Sequence, residues 1–86
     1  MLFSVHVEVM LRPGIADPQG ATIERSLPTL GFAGIGDVRV GKLIVFTIDS
    51  ADEATALAEV HDMCERFLTN PVIEDATVSV TSVVPA

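Results

Sequence analysis

From Phe3 to Leu11 the chain alternates without a break: Phe3, Val5, Val7, Val9 and Leu11 are separated by Ser4, His6, Glu8 and Met10. That period of two is the pattern of a β-strand with one buried face. The segment that follows, Arg12-Pro13-Gly14-Ile15-Ala16-Asp17-Pro18-Gln19-Gly20, restricts the fold further. Pro13-Gly14 is a turn pair, Asp17 is a residue suited to cap a helix, and Pro18 fits the first helical position, where a missing N–H is no loss. A strand must therefore hand over to a helix within a few residues. The loop also carries more specific chemistry than a plain connection requires, which points to a surface that faces a partner.

The helix beginning at Asp17-Pro18 runs toward Gly31 with Ile23, Leu27 and Leu30 on one stripe, and Gly31 is a natural left-handed terminator. Pro28 lies more than one turn in, so it removes a helical donor, crowds the carbonyl of Glu24 and predicts a bent last turn. From Asp37 to Asp49 the even positions Val38, Val40, Ile44, Phe46 and Ile48 are apolar. The parity continues across Gly41-Lys42, so one long strand kinked at Gly41 and a hairpin of two short strands both fit. The hairpin closes a four-stranded sheet alone; the single strand leaves the protomer short of strands and invites a second copy.

Ser50-Ala51-Asp52-Glu53 reads as a capping box opening a second helix. Leu57, Val60, His61, Cys64, Phe67 and Leu68 are expected on its apolar face, with Asp52, Glu53, Glu59, Asp62, Glu65 and Arg66 in water. Asn70-Pro71 ends it, and Ala76, Val78 and Val80 alternate with Thr77, Ser79 and Thr81 as a last strand. The order predicts a single α+β domain over residues 1–82, ferredoxin-like βαββαβ or the variant with one long strand kinked at Gly41. Both helices are expected on one face of an antiparallel sheet, and residues 83–86 form a flexible tail.

Apolar residues make up 49% of 86, with no Trp or Tyr. A chain of this length buries only roughly 60 to 65% of its unfolded surface. So large an aliphatic fraction in so small a domain predicts an oligomer. The formal charge is −7, and Arg12, Arg25, Arg39, Lys42 and Arg66 are scattered, which argues against nucleic acid as a partner. The first ten residues lack the pattern of a secretory leader, no apolar run approaches the roughly 20 residues of a membrane helix, and the one cysteine suits a reducing interior. The cytoplasm is the expected location, with no membrane partner.

Few residues invite a chemical role. His61 and Cys64, three apart, would suit one metal or a thiolate–imidazole pair, but their place on the apolar stripe favours packing, so no metal is expected. His6 stands beside Glu8 with no nucleophile or oxyanion arrangement, which favours a solvated or interface role. Arg39 and Lys42 flank Gly41, where a backbone can approach closely between two cations; an acidic partner and pairing with Asp37 and Asp49 both fit.

Taken together, Leu11-Arg12-Pro13-Gly14, Asp17-Pro18-Gln19-Gly20, Leu30-Gly31-Phe32, Asp37-Val38-Arg39-Val40-Gly41-Lys42 and Asn70-Pro71-Val72-Ile73-Glu74-Asp75 resemble, in order and spacing, the PurS family. Leu43 and Ala76 depart from the aromatic or larger residues often found there. The resemblance implies the small subunit of phosphoribosylformylglycinamidine synthase, in de novo purine biosynthesis. It implies a dimer, or a tetramer, with no catalytic residue and no cofactor of its own. Its implied partners are a glutaminase subunit that releases ammonia and a large synthetase subunit that uses ATP and magnesium to aminate formylglycinamide ribonucleotide. The residues implied in assembly are Pro13, Gly14, Asp17, Pro18, Gln19, Gly20, Arg39, Gly41, Lys42, Asn70 and Pro71. A regulatory module of ferredoxin-like type that binds a small molecule is the alternative.

Overall fold

The computed structural model describes residues 1–83. Its elements are β1 (Leu2–Leu11), α1 (Pro18–Thr29), β2 (Gly41–Asp49), α2 (Glu53–Met63), a π-helical turn at Cys64–Leu68 and β3 (Glu74–Ser82). The strands form one antiparallel sheet in the order β2-β1-β3, an α+β arrangement of ferredoxin-like type with two helices.

The alternation in β1 decides the layers. Phe3, Val5, Val7 and Val9 are all at most 2% exposed. Their register sets Val7 opposite Ile44 on β2 and opposite Val78 on β3, so the apolar parities of all three strands share one face. α2 closes that face with Val60 and Cys64, and Ala56 is buried one turn earlier. Burying each of the Val and Phe side chains stabilises the fold by about 1.5–3 kcal/mol. The other face carries His6, Glu8, Thr77 and Ser79 in water.

The segment between the helices contributes one strand, and it begins at Gly41 instead of Asp37. Val38 and Val40 carry the strand parity, yet Glu24 on α1 and Asp17 at its N-cap take their amides and no neighbouring strand does. The hairpin of two short strands is therefore not formed.

α1 ends as its sequence predicts, with Gly31 at φ 95°. Pro28 stays inside the helix, and the last turn closes through the Leu30 amide on the Leu27 carbonyl at 3.0 Å. α2 starts differently from the expected capping box. The Ser50 amide is drawn to the Met1 carbonyl at 2.9 Å, extending the sheet, and Asp52 caps the helix instead, accepting from the Thr55 amide at 2.7 Å.

The apolar stripe of α2 also shifts. Ala56, Val60, Cys64 and the half-buried Leu68 follow at intervals of four, whereas an α-helix returns every 3.6 residues. The π turn adds the missing fraction and keeps Leu68 on the sheet side. Phe67, expected inside, is instead 86% exposed, and His61 also faces solvent. At the far end the Val83 amide donates to the Leu2 carbonyl at 3.0 Å. The rest of the expected tail, 84–86, lies outside the described residues. Among the described residues, no helix is long and apolar enough to cross a membrane.

Candidate functional site

Three sequence motifs, residues 12–20, 37–42 and 70–75, meet at one end of the sheet, where β1 finishes and both β2 and β3 begin. The first motif makes the turn: the Ile15 amide donates to the Arg12 carbonyl at 3.1 Å, with Pro13 second and Gly14 third at φ 87°, the left-handed position of a type II turn. Gly14 meets no neighbour within 4 Å, so it serves the turn's dihedral and not a close approach.

Asp17 joins the first motif to the second. One carboxylate oxygen accepts from the Gly20 amide at 2.8 Å and caps α1, while the other accepts from the Val40 amide at 2.8 Å. Seven residues further along, on α1, Glu24 accepts from the Val38 amide at 3.1 Å. The two carboxylates thus take alternate amides of one extended segment, as the carbonyls of a neighbouring strand would. Between them Gly20 is buried, and a Cβ there would run into the Val38 carbonyl oxygen. The glycine lets the segment lie directly on the helix.

Arg12 and Arg39 complete the junction. The Arg39 guanidinium donates to the Leu11 carbonyl, tying the second motif to the end of β1. Arg12 ties the first motif to the third: its guanidinium donates to the Pro71 carbonyl at 2.5 Å and pairs with Asp75 at 3.3 Å, and its amide donates to the Ile73 carbonyl at 2.8 Å. Asn70 organises the turn it reaches. Its carbonyl accepts from the amides of Ile73 and Glu74, its side-chain oxygen accepts from the Val72 amide, and its own amide donates to the Glu74 carboxylate at 2.7 Å.

A backbone does approach Gly41 closely, as its place in the sequence suggests. A Cβ on it would strike Met10 Sδ and come within 2.6 Å of the Val9 carbonyl oxygen. The backbone that approaches Gly41 is that of the chain's own β1. Beside it Lys42, opposite Val9, is exposed and has no hydrogen-bond or ion-pair partner among the described residues. A cleft of about 310 Å³ opens here, lined by Asp17, Pro18 and Gln19, by Gly41 and Lys42 and by Glu74 over Val9 and Leu11. A second groove of about 480 Å³ runs between Pro18, Gln19, Thr22 and Ile23 of α1 and Val40.

All eleven expected site residues therefore lie in or beside one junction. Glu24 and Arg12 were not singled out as site residues from the sequence. The available signal for Glu24 was its spacing of four from Gly20, which places both on one row of α1. Elsewhere, Cys64 is buried and His61 exposed, so the two do not face a common ligand. Among the described residues no three His, Cys, Asp or Glu side chains are grouped to hold a metal ion.

The amides of Gly20 and then Val40, with the Arg39 charge, hold the Asp17 carboxyl below its ordinary value of 3.8 against the cost of desolvation. A depressed carboxylate contributes stability that is complete above its unfolded value and lost as pH falls through its folded one. Asp17→Asn keeps an oxygen for the cap but offers no second acceptor to Val40. The gap in Tm between wild type and this variant is expected to be widest at neutral pH and to close as the pH falls below 3.8. A gap unchanged across that range in melts followed by circular dichroism would show that the clasp does not depend on the charge.

Comparison with known proteins places this geometry among relatives. Residues 4–82 match the family model PurS, phosphoribosylformylglycinamidine (FGAM) synthase. The chain is 42% identical over 80 residues to the phosphoribosylformylglycinamidine synthase subunit PurS of Methanothermobacter thermautotrophicus, covering 93% of this chain and 94% of that one. The crystal structure of Methanocaldococcus jannaschii PurS superposes with a TM-score of 0.86 at 34% identity, over 95% of this chain and 99% of that one. A chain in the structure of PurLQS from Thermotoga maritima gives a TM-score of 0.86 at 32% identity, over 93% and 98% of the two chains.

Proposed function

The chain belongs to the PurS family, a subunit of phosphoribosylformylglycinamidine synthase in purine biosynthesis, and on that premise we propose that it is the bridge of that assembly and carries none of its chemistry. The enzyme is an ATP-dependent, glutamine-hydrolysing ligase, and the PurLQS structure joins a PurS chain to PurL and PurQ. In this reading a PurQ-type glutaminase releases ammonia and a PurL-type synthetase holds ATP and magnesium. This chain, as a dimer, holds the two in register.

One observation carries the proposal. The chain exposes 6019 Å², roughly 1,100 Å² more than the ~4,900 Å² expected of a compact protein of its mass. Its radius of gyration is 16.9 Å, against about 12 Å for a compact domain of this length. The excess has a visible source. α1 buries only Gly20, leaving Ile23 42% and Leu30 70% exposed, and Ile44, Phe46 and Ile48 on β2 are only half-buried. A standard interface takes about 800 Å² from each partner, so this surface is sufficient for a second copy with area left over.

The rigid junction suits a bridging part. Asp17, Glu24, Arg12, Arg39 and Asn70 are all committed to backbone groups of the chain itself, which fixes loops that would otherwise move. Ammonia must travel unprotonated, since ammonium is not nucleophilic and is costly to desolvate. A rigid, largely aliphatic bridge keeps water from the seam between two active sites.

Reconstitution from purified subunits tests the proposal. Glutamine-dependent synthesis by the PurQ-type and PurL-type partners is expected to require this chain, while synthesis from added ammonium chloride by the PurL-type subunit proceeds without it. Loss of both activities together on omitting the chain would contradict a bridging role and point to a part in the chemistry.

A further inference from the structure

The strongest departure from the expected core is Phe67, which the π turn at Cys64–Leu68 places 86% in water. In an uninterrupted α-helix Phe67 would lie within the stripe of Val60 and Cys64, and the extra fraction of a turn takes it out of that stripe. The turn is well made: the Thr69 amide and hydroxyl both donate to the Cys64 carbonyl, at 3.1 and 2.8 Å. The turn closes the C-terminal end of α2, before extended backbone at Thr69, and presents a phenylalanine ring there, with Glu59 and the half-buried Met63 preceding it on the same flank at intervals of four.

Charge decides what covers it. The exposed side of α2 and its π turn carries Glu53, Glu59, Asp62 and Glu65, and Arg66, the only Lys or Arg there, is held by Asp62 at 3.2 Å. A second copy docking this flank across a two-fold axis would set the same carboxylates against one another, since such an interface meets itself. Like charges opposed across an interface are costly. We propose that Phe67 is the anchor by which this subunit docks a different polypeptide of the assembly, into an apolar socket rimmed by Lys or Arg side chains. The inference rests on the bridging function above and assigns one face to it, leaving α1 and β2 for the second copy. Aromatic side chains are enriched in the buried cores of interfaces, which a polar rim surrounds.

The test measures binding of the full chain to the purified PurL-type and PurQ-type subunits separately, alongside the mass of the free oligomer. Phe67→Ala is expected to raise the Kd for one of the two by about 30-fold, with its Tm and oligomeric mass those of wild type. Phe67→Leu should retain most of the affinity. Glu59→Lys should weaken the same complex at low salt, with the difference shrinking as salt screens it. Unchanged affinity of Phe67→Ala for both partners would overturn the assignment. So would loss of the free oligomer with binding to the partners intact, which would make the flank a self-contact. Failure of the wild-type chain to bind either partner would instead overturn the bridging function beneath it.

Discussion

Valine at position 20 is expected to lower the melting temperature by about 10 °C, the consequence of roughly 2 kcal/mol of overpacking in a domain of this size. The reason is local. A Cβ on Gly20 would lie inside contact distance of the Val38 carbonyl oxygen and 2.9 Å from the Asp17 carboxylate, so the extended segment must lift off α1. Lifting it breaks two bonds together, Val38 to Glu24 and Val40 to Asp17. The effect should reach function, because residues 38–40 lead directly into β2 and form one wall of the cleft where the motifs meet. Glutamine-dependent synthesis by the assembled enzyme should fall, while synthesis from ammonium persists. Gly36→Ala is the control: its added Cβ meets nothing within 4 Å. Equal melting temperatures for Gly20→Val and Gly36→Ala would show that the close packing on α1 contributes nothing to the fold.

The parts of this fold that were legible in the sequence are those where a pattern and its cause lie in the same stretch of chain. β1 follows from alternation alone, and the start of α1 follows from Asp17 and Pro18, because the cap and the helix it caps are neighbours. The start of β2 was not legible. Val38 and Val40 have the parity of a strand, but what occupies their amides comes from Asp17 and Glu24, more than ten residues earlier. Position 50 shows the same limit: Ser50 has the spacing of a cap, yet its amide is drawn to Met1 at the other end of the chain. Phe67 fails for a different reason, since a helical stripe drawn at 3.6 residues cannot anticipate a turn of another pitch. The candidate site was legible as motifs and not as a place. Only pairing β1 with both β2 and β3 brings Asp17, Lys42 and Asn70 to one end of the sheet, and the part of Arg12 as the tie between first and third motifs appears only then.

Gly41→Val is expected to be at least as damaging to stability, by about 2–3 kcal/mol, and the two atoms its side chain would meet allow the cost to be divided. One is Met10 Sδ, which belongs to a flexible side chain and can move; the other is the Val9 carbonyl oxygen, 2.6 Å from the new Cβ, which cannot move without disturbing the β1–β2 ladder. Shortening the first neighbour should therefore relieve only part of the strain. In a double-mutant cycle with Met10→Ala, followed by urea unfolding, the coupling should be favourable by about 1 kcal/mol while most of the loss remains. Complete rescue by Met10→Ala would place the whole conflict in the side chain, and strict additivity would mean that the two positions do not meet. The sequence suggests Gly41 as a point where a backbone can approach closely between two cations, which would make its substitution a test of a partner contact. The structure changes what that experiment measures: a valine here weakens the subunit's own sheet before any partner is involved. A failure of assembly in Gly41→Val is then a consequence of lost folding, whereas Phe67→Ala, with its side chain already in water, tests the contact itself.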